Sequence, residues 1–211
     1  MHEKTGRSVY AFIYTFIALM KEDPTIIHEG KVFEKIDFQE KSIVGRRFTD
    51  CTFKSCRLNG LSFTDCNFTD CIFDDCDLSL IKVKGCFFNR VQMIRSKAIG
   101  VNWFDAGAPF SIQFIDTNIS YSSFFGKAIK KAKIKNCLAR ETDFSECNLM
   151  QADFNGTDLD NARFSNTDIS HADFKDARNY NIDLRHNKVE KTRFGLPEAL
   201  SLLNPFDIII E

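Results

Sequence analysis

Large apolar residues recur at every fifth position along most of this sequence. In residues 47–78 a Phe or Leu fills each such position. These residues are Phe48, Phe53, Leu58, Phe63, Phe68, Phe73 and Leu78. A second run, residues 143–177, repeats the spacing from Phe144 to Phe174. An amphipathic helix has a period of about 3.6 residues and a flat strand about 2, so neither fits. The chain must therefore turn a corner every five residues.

A small residue stands two positions before most of these large residues. It is mainly Cys in the first run and mainly Ala or Thr in the second. If both residues point inward, the chain winds as a square coil with four five-residue sides, and residues twenty apart stack. Neighbouring coils would then lie about 4.8 Å apart, as hydrogen-bonded strands do. The pattern predicts an all-β solenoid over residues 31–194 with a filled interior.

The repeat changes phase in the middle of the chain, at about residues 94–113. Met93 and Phe114 are separated by 21 residues where four repeats need 20, so one residue is inserted. Gly107 and Pro109 favour a bulge at this place. One interpretation is a kinked coil filled by Trp103. The other is an exposed loop in which Phe104 and Phe110 contact a partner.

The C-terminal residues 195–211 read as a cap. Pro197 suits the first turn of a helix, Asn204–Pro205 is expected to end it, and residues 206–210 resemble a terminal strand. An open solenoid end exposes strand edges, so this segment is expected to cover it, either alone or together with homodimerisation. The residues assigned to the cap and dimer contact are Leu200, Leu203, Phe206, Ile208, Ile209 and Ile210.

Residues 1–30 form an N-terminal extension with a thirteen-residue apolar stretch at 8–20. A membrane span needs about 20 residues, and the following residues offer no convincing cleavage site for a signal peptide. The favoured interpretations are a helix packed over the first coil or an extension upstream of a start at Met20. Export or membrane association is the alternative.

Composition narrows the class of protein. With 211 residues, 44% of them hydrophobic, the chain is suited to one globular domain rather than a fibrous or disordered one. Its net charge of −1 provides no excess of positive charge for a nucleic-acid backbone, so direct nucleic-acid binding is not expected. The 22 Phe residues suggest one repeated slot that accepts one ring shape.

All eight cysteines occupy the small-residue position of the repeat. They are Cys51, Cys56, Cys66, Cys71, Cys76, Cys86, Cys137 and Cys147. Their spacing lacks the C-x₂-C pattern of metal sites, and no His lies near them in sequence. We expect buried free thiols in a reducing, cytoplasmic protein, with disulfides between stacked cysteines or a metal as the less favoured alternatives.

The sequence shows no catalytic constellation. Its four His residues are scattered, and neither a glycine-rich phosphate loop nor a Cys/His pairing is visible. A filled solenoid also leaves little room for a substrate pocket. The sequence therefore favours a binding scaffold over an enzyme, with no catalytic residue, cofactor or metal.

Charged residues fall in columns when the twenty-residue coil is applied. Asp50 and Asp70 are expected to stack at one corner, next to Asp74 and Asp75, with Lys54 as the nearest opposing charge. A second acidic group comprises Asp153, Asp173 and Asp176, with Lys175 among them. Lysines between residues 127 and 135 form a basic zone. The acids are candidate partner contacts, with plain solvated side chains as the alternative.

The A/C/S/T-D/N-L/F-x-x pattern of residues 33–194 resembles the pentapeptide-repeat proteins, whose fold is a right-handed quadrilateral β-helix. Three features are most similar to the Qnr, MfpA and microcin-immunity group: Trp103–Phe104, the resumption at residues 117–121 and the segment 196–210.

This resemblance implies a tail-to-tail homodimer that binds DNA gyrase or topoisomerase IV as a DNA mimic and protects it from quinolone-like poisons. The acidic groups would meet the enzyme's basic DNA-binding surface. The alternative is a structural or protein-interaction scaffold of the same fold without topoisomerase activity.

Overall fold

The computed structural model describes residues 26–38, 41–206 and 208. The predictions for the apolar stretch at 8–20 therefore lie outside the described residues. Within the described part of the chain, no helix is both long and apolar enough to cross a membrane. The first strand of the stack begins at Ile27, before the boundary predicted at residue 31.

The described chain consists of short strands and three 3₁₀ helices. The strands are β1 (Ile27–Glu29), β2 (Val32–Glu34), β3 (Ser42–Val44), β4 (Arg47–Thr49), β5 (Thr52–Lys54), β6 (Ser62–Thr64), β7 (Asn67–Thr69), β8 (Ile72–Asp74), β9 (Lys82–Lys84), β10 (Phe87–Ile94), β11 (Phe110–Ile115), β12 (Ile134–Lys135), β13 (Asp173–Phe174) and β14 (Arg193–Phe194). The 3₁₀ helices are Trp103–Asp105, Leu184–His186 and Glu198–Phe206.

All strand pairs are parallel, and their register confirms the four-sided coil. Strand β4 pairs with β7 so that Phe48 lies beside Phe68, twenty residues later. In the second half of the chain, isolated bridges such as Asp143↔Arg163 keep the same interval. The fold is the predicted quadrilateral β-helix of about eight turns with a C-terminal helical cap.

The core is built from the two inward positions predicted from the sequence. Phe48, Phe68 and Phe88 stack with ring centroids 5.0 and 5.1 Å apart, and each ring is 1% exposed. Such ring pairs contribute about 0.5–1.5 kcal/mol each beyond the burial of their area. The small residues beside them are equally buried, so the interior is continuous along the rod.

The corners explain why the period is five. The second residue after most central ones adopts a left-handed backbone, as at Asp50 (φ 51°), Asp70 (φ 54°) and Gly85 (φ 67°). Asp, Asn and Gly tolerate this conformation better than most residues do. The Asp50 amide donates to the Thr69 carbonyl of the next coil at 3.0 Å, so the corner also links neighbouring coils.

One coil contains the inserted residue. The bridges Lys97↔Asn118 and Asn102↔Ser123 join residues 21 apart, and the β10–β11 register shifts between Phe88 and Val91. Trp103 is fully buried there, stacked on Phe124 with centroids 6.0 Å apart. The interpretation of a kinked coil filled by Trp103 is therefore confirmed.

The C-terminal helix packs on the last coil but extends further than predicted. Leu202 is 8% exposed, and the Ser201 hydroxyl donates to the Tyr180 carbonyl at 2.7 Å. The predicted end at Asn204–Pro205 is wrong, since the 3₁₀ helix includes Pro205 and Phe206. The fixed φ of proline, about −65°, fits a 3₁₀ turn, so Pro205 does not end it.

At the two described residues of the predicted terminal strand 206–210, the structure has no strand. Phe206 lies in the 3₁₀ helix, and Ile208 has no regular structure. Ile209 and Ile210 lie outside the described residues.

Candidate interaction surfaces

The eight cysteines have the geometry of buried core residues. All are free and buried. The Cys71 Sγ–H donates to the Phe48 carbonyl of the preceding coil at 3.3 Å, and burial raises the pKa of Cys71 to about 12. The thiol is therefore protonated at neutral pH, and its hydrogen is donated to a backbone carbonyl. Across the described ranges, no three His, Cys, Asp or Glu side chains form a group able to hold a metal ion.

The first acidic group assembles as predicted at one corner but carries a cation that sequence analysis missed. Asp50 and Asp70 occupy the same corner of consecutive coils, and Arg90 continues the column. The Arg90 Nε donates to Asp70 Oδ1 at 2.6 Å, and this hydrogen bond lowers the pKa of Asp70. The spacing of twenty residues between Asp70 and Arg90 is the signal that could have identified the pair.

The neighbouring side of the coil is neutralised only at Asp74. Asp74 forms an ion pair with Arg95, and Asp75 accepts a hydrogen bond from the Ser55 hydroxyl at 2.8 Å. Neither Asp50 nor Asp75 has an ion pair among the described residues. This group, Asp50, Asp70, Asp74 and Asp75, is called the first acidic group below.

The second acidic group is flanked by cations at both ends. Asp153 and Asp173 are bridged in register, as predicted. Lys135 pairs with Asp153 at 3.3 Å and Arg193 with Asp173 at 2.9 Å, while Asp176 is exposed. The two groups therefore present mixed charge rather than a continuous acidic face.

A third carboxylate is buried and was not singled out from the sequence. The Asp158 side chain is 2% exposed and accepts hydrogen bonds from Arg140 Nη2 at 2.7 Å and Asn179 Nδ2 at 2.8 Å. Burial alone would raise its pKa, but the hydrogen bonds from Asn179 and Arg140 outweigh it, so the pKa of Asp158 is lowered. Asp158 stabilises the fold rather than offering a contact.

The basic zone divides into inward and outward parts. Lys130, Lys131 and Lys133 are exposed. Lys127 turns inward, where its Nζ donates to the Ala106 carbonyl at 2.6 Å and lies 5.2 Å from the centre of the Phe110 ring. Burial lowers the pKa of Lys127. This lysine therefore braces the irregular coil.

The irregular coil also presents aromatic side chains to solvent. Phe104 is 58% exposed and contacts Phe125, which is 37% exposed, with ring centroids 6.1 Å apart. Phe110 packs instead against Phe88 and Trp103 and is only partly exposed. Of the two predicted loop contacts, the structure exposes Phe104 and largely packs Phe110. Phe125 was missed, although it stands one coil after Phe104.

The C-terminal cap exposes apolar side chains on its outer surface. Leu200, Phe206 and Ile208 are 46%, 46% and 54% exposed, whereas Leu203 is half-buried. Several apolar groups gathered at one end of a rod are a typical interaction surface. Of the predicted contact residues here, only Ile209 and Ile210 lie outside the described residues.

The sequence matches one family of known proteins, and the fold matches solved structures. The model of the family "Pentapeptide repeats" matches residues 47–85, 131–166 and 142–178. No protein among the curated ones matches the sequence.

Two solved structures of trypsin-treated variants of QnrB1, a plasmid-mediated fluoroquinolone resistance protein, match the fold. One has 16% identity and a TM-score of 0.57, covering 88% of this chain and 100% of that chain. The other has 19% identity and a TM-score of 0.58, covering 88% and 92%. At these identities the likeness shows the fold alone.

Proposed function

Because this chain is a pentapeptide-repeat protein, we propose that it binds a bacterial type II topoisomerase, DNA gyrase or topoisomerase IV, as a DNA mimic. Through this binding it protects the enzyme from fluoroquinolone-like poisons. Support comes from the shared fold of QnrB1, which is a plasmid-mediated fluoroquinolone resistance protein. The protein acts by binding, with no catalytic step of its own, in the cytoplasm where its target works.

The observation that carries this proposal is the shape of the described rod. About eight coils at about 4.8 Å each give a length of about 39 Å. One turn of B-form DNA measures about 34–36 Å, so the rod can replace roughly one turn in a DNA-binding groove. A rigid, filled core keeps this shape without a nucleic acid.

The distribution of charge supports a contact over a restricted area of the rod. B-form DNA carries about one negative charge per 1.7 Å, far more than the described residues present. The first acidic group is the best match because Asp50 and Asp75 are exposed and have no ion pair within residues 26–38, 41–206 and 208. Contact there is electrostatic, so added salt weakens it.

The cap completes the proposed assembly. The exposed Leu200, Phe206 and Ile208 would meet the same residues of a second copy, in a tail-to-tail homodimer. A two-fold contact of this kind uses the same surface on both subunits. The dimer would double the length of the rod offered to the enzyme.

A supercoiling assay tests the proposal. Purified protein is added to gyrase with and without a fluoroquinolone, and the wild type is compared with the double variant Asp50→Lys and Asp70→Lys. The expected result is drug protection by the wild type and a loss of potency of about tenfold in the variant, since exposed charge contacts contribute about 0.2–1 kcal/mol each.

A matched control places the same charge change on another side. The control is the double variant Glu141→Lys and Asp160→Lys. Glu141 and Asp160 are both exposed, and Glu141 occupies a corner with φ 53°, like Asp50 with φ 51°. This variant should retain wild-type potency. Equal loss in both variants would mean that net charge, not the first acidic group, controls the effect.

A second function is favoured by the cations that cover the acidic groups. Arg90, Arg95, Lys135 and Arg193 neutralise acids that a DNA mimic would leave free. A protein-interaction scaffold without topoisomerase activity has no need for a free acidic face. Absence of any effect on gyrase at micromolar protein would support this scaffold function and reject the first.

A further inference from the structure

The dipeptide Asn-Gly occurs twice in the sequence, each time at the same place in the repeat. Asn59–Gly60 follows the central residue Leu58, and Asn155–Gly156 follows the central residue Phe154. Both glycines occupy corners with a left-handed backbone, at φ 71° and φ 73° respectively. The two pairs therefore share their sequence and their corner conformation, and differ in what surrounds them.

An asparagine that precedes glycine is prone to lose its side-chain amide nitrogen. The main-chain nitrogen of the glycine attacks the Cγ of the asparagine, and the missing Cβ of glycine lets these two atoms approach. A bond from that nitrogen to Cγ forms as the bond from Cγ to Nδ2 breaks. The glycine amide proton passes to solvent, and Nδ2 takes up a proton and leaves as ammonia. Water then opens the resulting succinimide ring, which leaves an aspartyl or an isoaspartyl residue.

The side chain of Asn155 is fixed by its neighbours. Its Nδ2 donates to Asp153 Oδ1 at 2.8 Å, and its Oδ1 accepts a hydrogen bond from the Asp176 amide at 3.3 Å. The Asn155 amide donates to the same Asp153 oxygen at 3.1 Å. The Asn136 side chain of the preceding coil covers the space beside Gly156. Three hydrogen bonds therefore have to break before the asparagine Cγ turns toward the glycine nitrogen.

The side chain of Asn59 is not held in this way. Asn59 is exposed, and its side chain has no hydrogen-bond partner among the described residues. Arg57 stands at the position that Asp153 has before Asn155, and a guanidinium offers no acceptor. The space beside Gly60 is also open, since a Cβ built there would meet nothing within 4 Å. Asn59 is therefore able to change its side-chain rotamer in the folded protein.

Each attacking nitrogen is also restrained by the next coil. The Gly60 amide donates to the Ser79 carbonyl at 2.8 Å, and the Gly156 amide donates to the Asp176 carbonyl at 3.2 Å. Both corners must open locally before the ring closes, so both pairs react more slowly than in an unfolded chain. The shorter bond at Gly60 opposes reaction at that corner, but three further hydrogen bonds act only on the other asparagine. Since breaking one such bond slows a step about fivefold, the Gly60 corner reacts faster.

We propose that Asn59 is a site of deamidation in the folded protein, whereas Asn155 is protected by Asp153. The reaction adds one negative charge beside Arg57 and Asp77, which are bridged on this side of the rod. In the isoaspartyl product the main chain gains one carbon atom, which lengthens one side of the coil and disturbs its register. The site thus makes the rod more acidic and less regular as the protein ages. This inference stands independently of any topoisomerase partner.

Mass spectrometry of tryptic peptides measures both sites in one sample of full-length protein. The protein is incubated in mildly alkaline buffer, in which the glycine amide proton is more readily lost. Asn59 should be deamidated at least about tenfold faster than Asn155. The same protein unfolded in urea is the control, because the neighbours of both asparagines are then removed. Both sites should react there at similar rates, and faster than in the folded protein.

Substitutions two residues before Asn59 test the cause of its reactivity. Arg57→Asn supplies an acceptor, as Asn148 does for the Met150 amide at 3.3 Å, and should slow the reaction of Asn59 about tenfold. Arg57→Ala is the matched control, because it removes the same guanidinium without adding an acceptor. It should leave the rate at Asn59 unchanged.

The opposite substitution tests the protection of Asn155. Asp153→Ala removes the acceptor of two of its hydrogen bonds and should accelerate its deamidation about tenfold. Asp173→Ala is the control, since Asp173 also forms one ion pair but has no hydrogen bond to Asn155 among the described residues. The rate at Asn59 in each variant reports on folding, because a variant that unfolds would accelerate both sites.

Three results would overturn this proposal. The first is a folded protein in which Asn155 reacts as fast as Asn59. The second is an Asn59 that remains unmodified in the folded protein after an incubation that modifies the unfolded chain completely. The third is an unchanged rate at Asn59 in Arg57→Asn, which would show that an acceptor at this position does not control the reaction.

Discussion

At the scale of single residues, the fold depends on a large ring and a small neighbour entering the interior at every fifth position. The sequence predicted most of these inward positions correctly because burial repeats with a fixed period. Tyr180 stands outside the repeat and is nevertheless 1% exposed, packed on Phe174. The ion pairs were harder to predict. Arg90 becomes a visible partner of Asp70 only when the twenty-residue register is applied to basic as well as acidic residues. Arg95 lies 21 residues after Asp74, so even that register does not align this second pair.

Replacing one ring of a stack should be costly. Phe68 is 1% exposed between Phe48 and Phe88, so Phe68→Ala should lower the free energy of unfolding by about 3–5 kcal/mol. Urea denaturation followed by circular dichroism measures the loss. Phe104→Ala, at an exposed ring, should change it by less than about 0.5 kcal/mol. Similar losses in both variants would contradict the inward assignment of Phe68.

Asp158 should make stability depend on pH. Its pKa is lower in the folded protein than in the unfolded chain, where it is about 3.9. The stabilising contribution is therefore present above about pH 4 and is lost as the pH falls through the folded-state value. Asp158→Asn should cost about 1.5–3 kcal/mol at pH 7, as expected for hydrogen bonds to a charged group.

The measurement for Asp158 is urea denaturation of both proteins from pH 7 to pH 3. The gap between wild type and Asp158→Asn should narrow as the pH falls. Asp160→Asn, at an exposed neighbouring carboxylate, is the control and should show a small, constant difference. A gap for Asp158→Asn that stays constant over the whole range would exclude a role for its charge.

At the scale of elements, the spacing of the repeat predicted the structure better than local helix and turn signals did. The interval of 21 residues between Met93 and Phe114 located the irregular coil, and the structure pairs these two residues. The end of the C-terminal helix was wrong because Pro205 was taken as a stop signal, although proline is compatible with a 3₁₀ turn. The exposure of Phe104 together with Phe125 depends on how the inserted residue is accommodated, which no local pattern specifies.

In the C-terminal cap, buried and exposed leucines are expected to have different roles, the first in stability and the second in association. Leu202→Asp places a charge at a position 8% exposed and should lower the free energy of unfolding by about 3 kcal/mol. Leu200→Asp, at a position 46% exposed, should leave monomer stability within about 0.5 kcal/mol. It should instead reduce any tail-to-tail dimer in sedimentation. Equal destabilisation by both variants would show that Leu200 packs inward as well.

At the scale of the whole molecule, the length of the rod resembles DNA more closely than its charge does. The rod length matches about one turn of duplex, but arginines and lysines pair with many of its acids. This near balance of positive and negative charge is visible in the sequence, which has 29 acidic and 28 basic residues. Which side meets a partner could not be predicted, since every side carries both signs of charge.

The most direct test of the proposed function is the equilibrium binding of fluorescently labelled protein to purified gyrase, measured by anisotropy with and without unlabelled duplex DNA. The account predicts saturable binding that DNA displaces, that weakens as salt rises, and that is about tenfold weaker for Asp50→Lys with Asp70→Lys. Absence of binding at micromolar gyrase, or binding that saturating DNA leaves unchanged, would contradict the proposal that this protein is a DNA mimic.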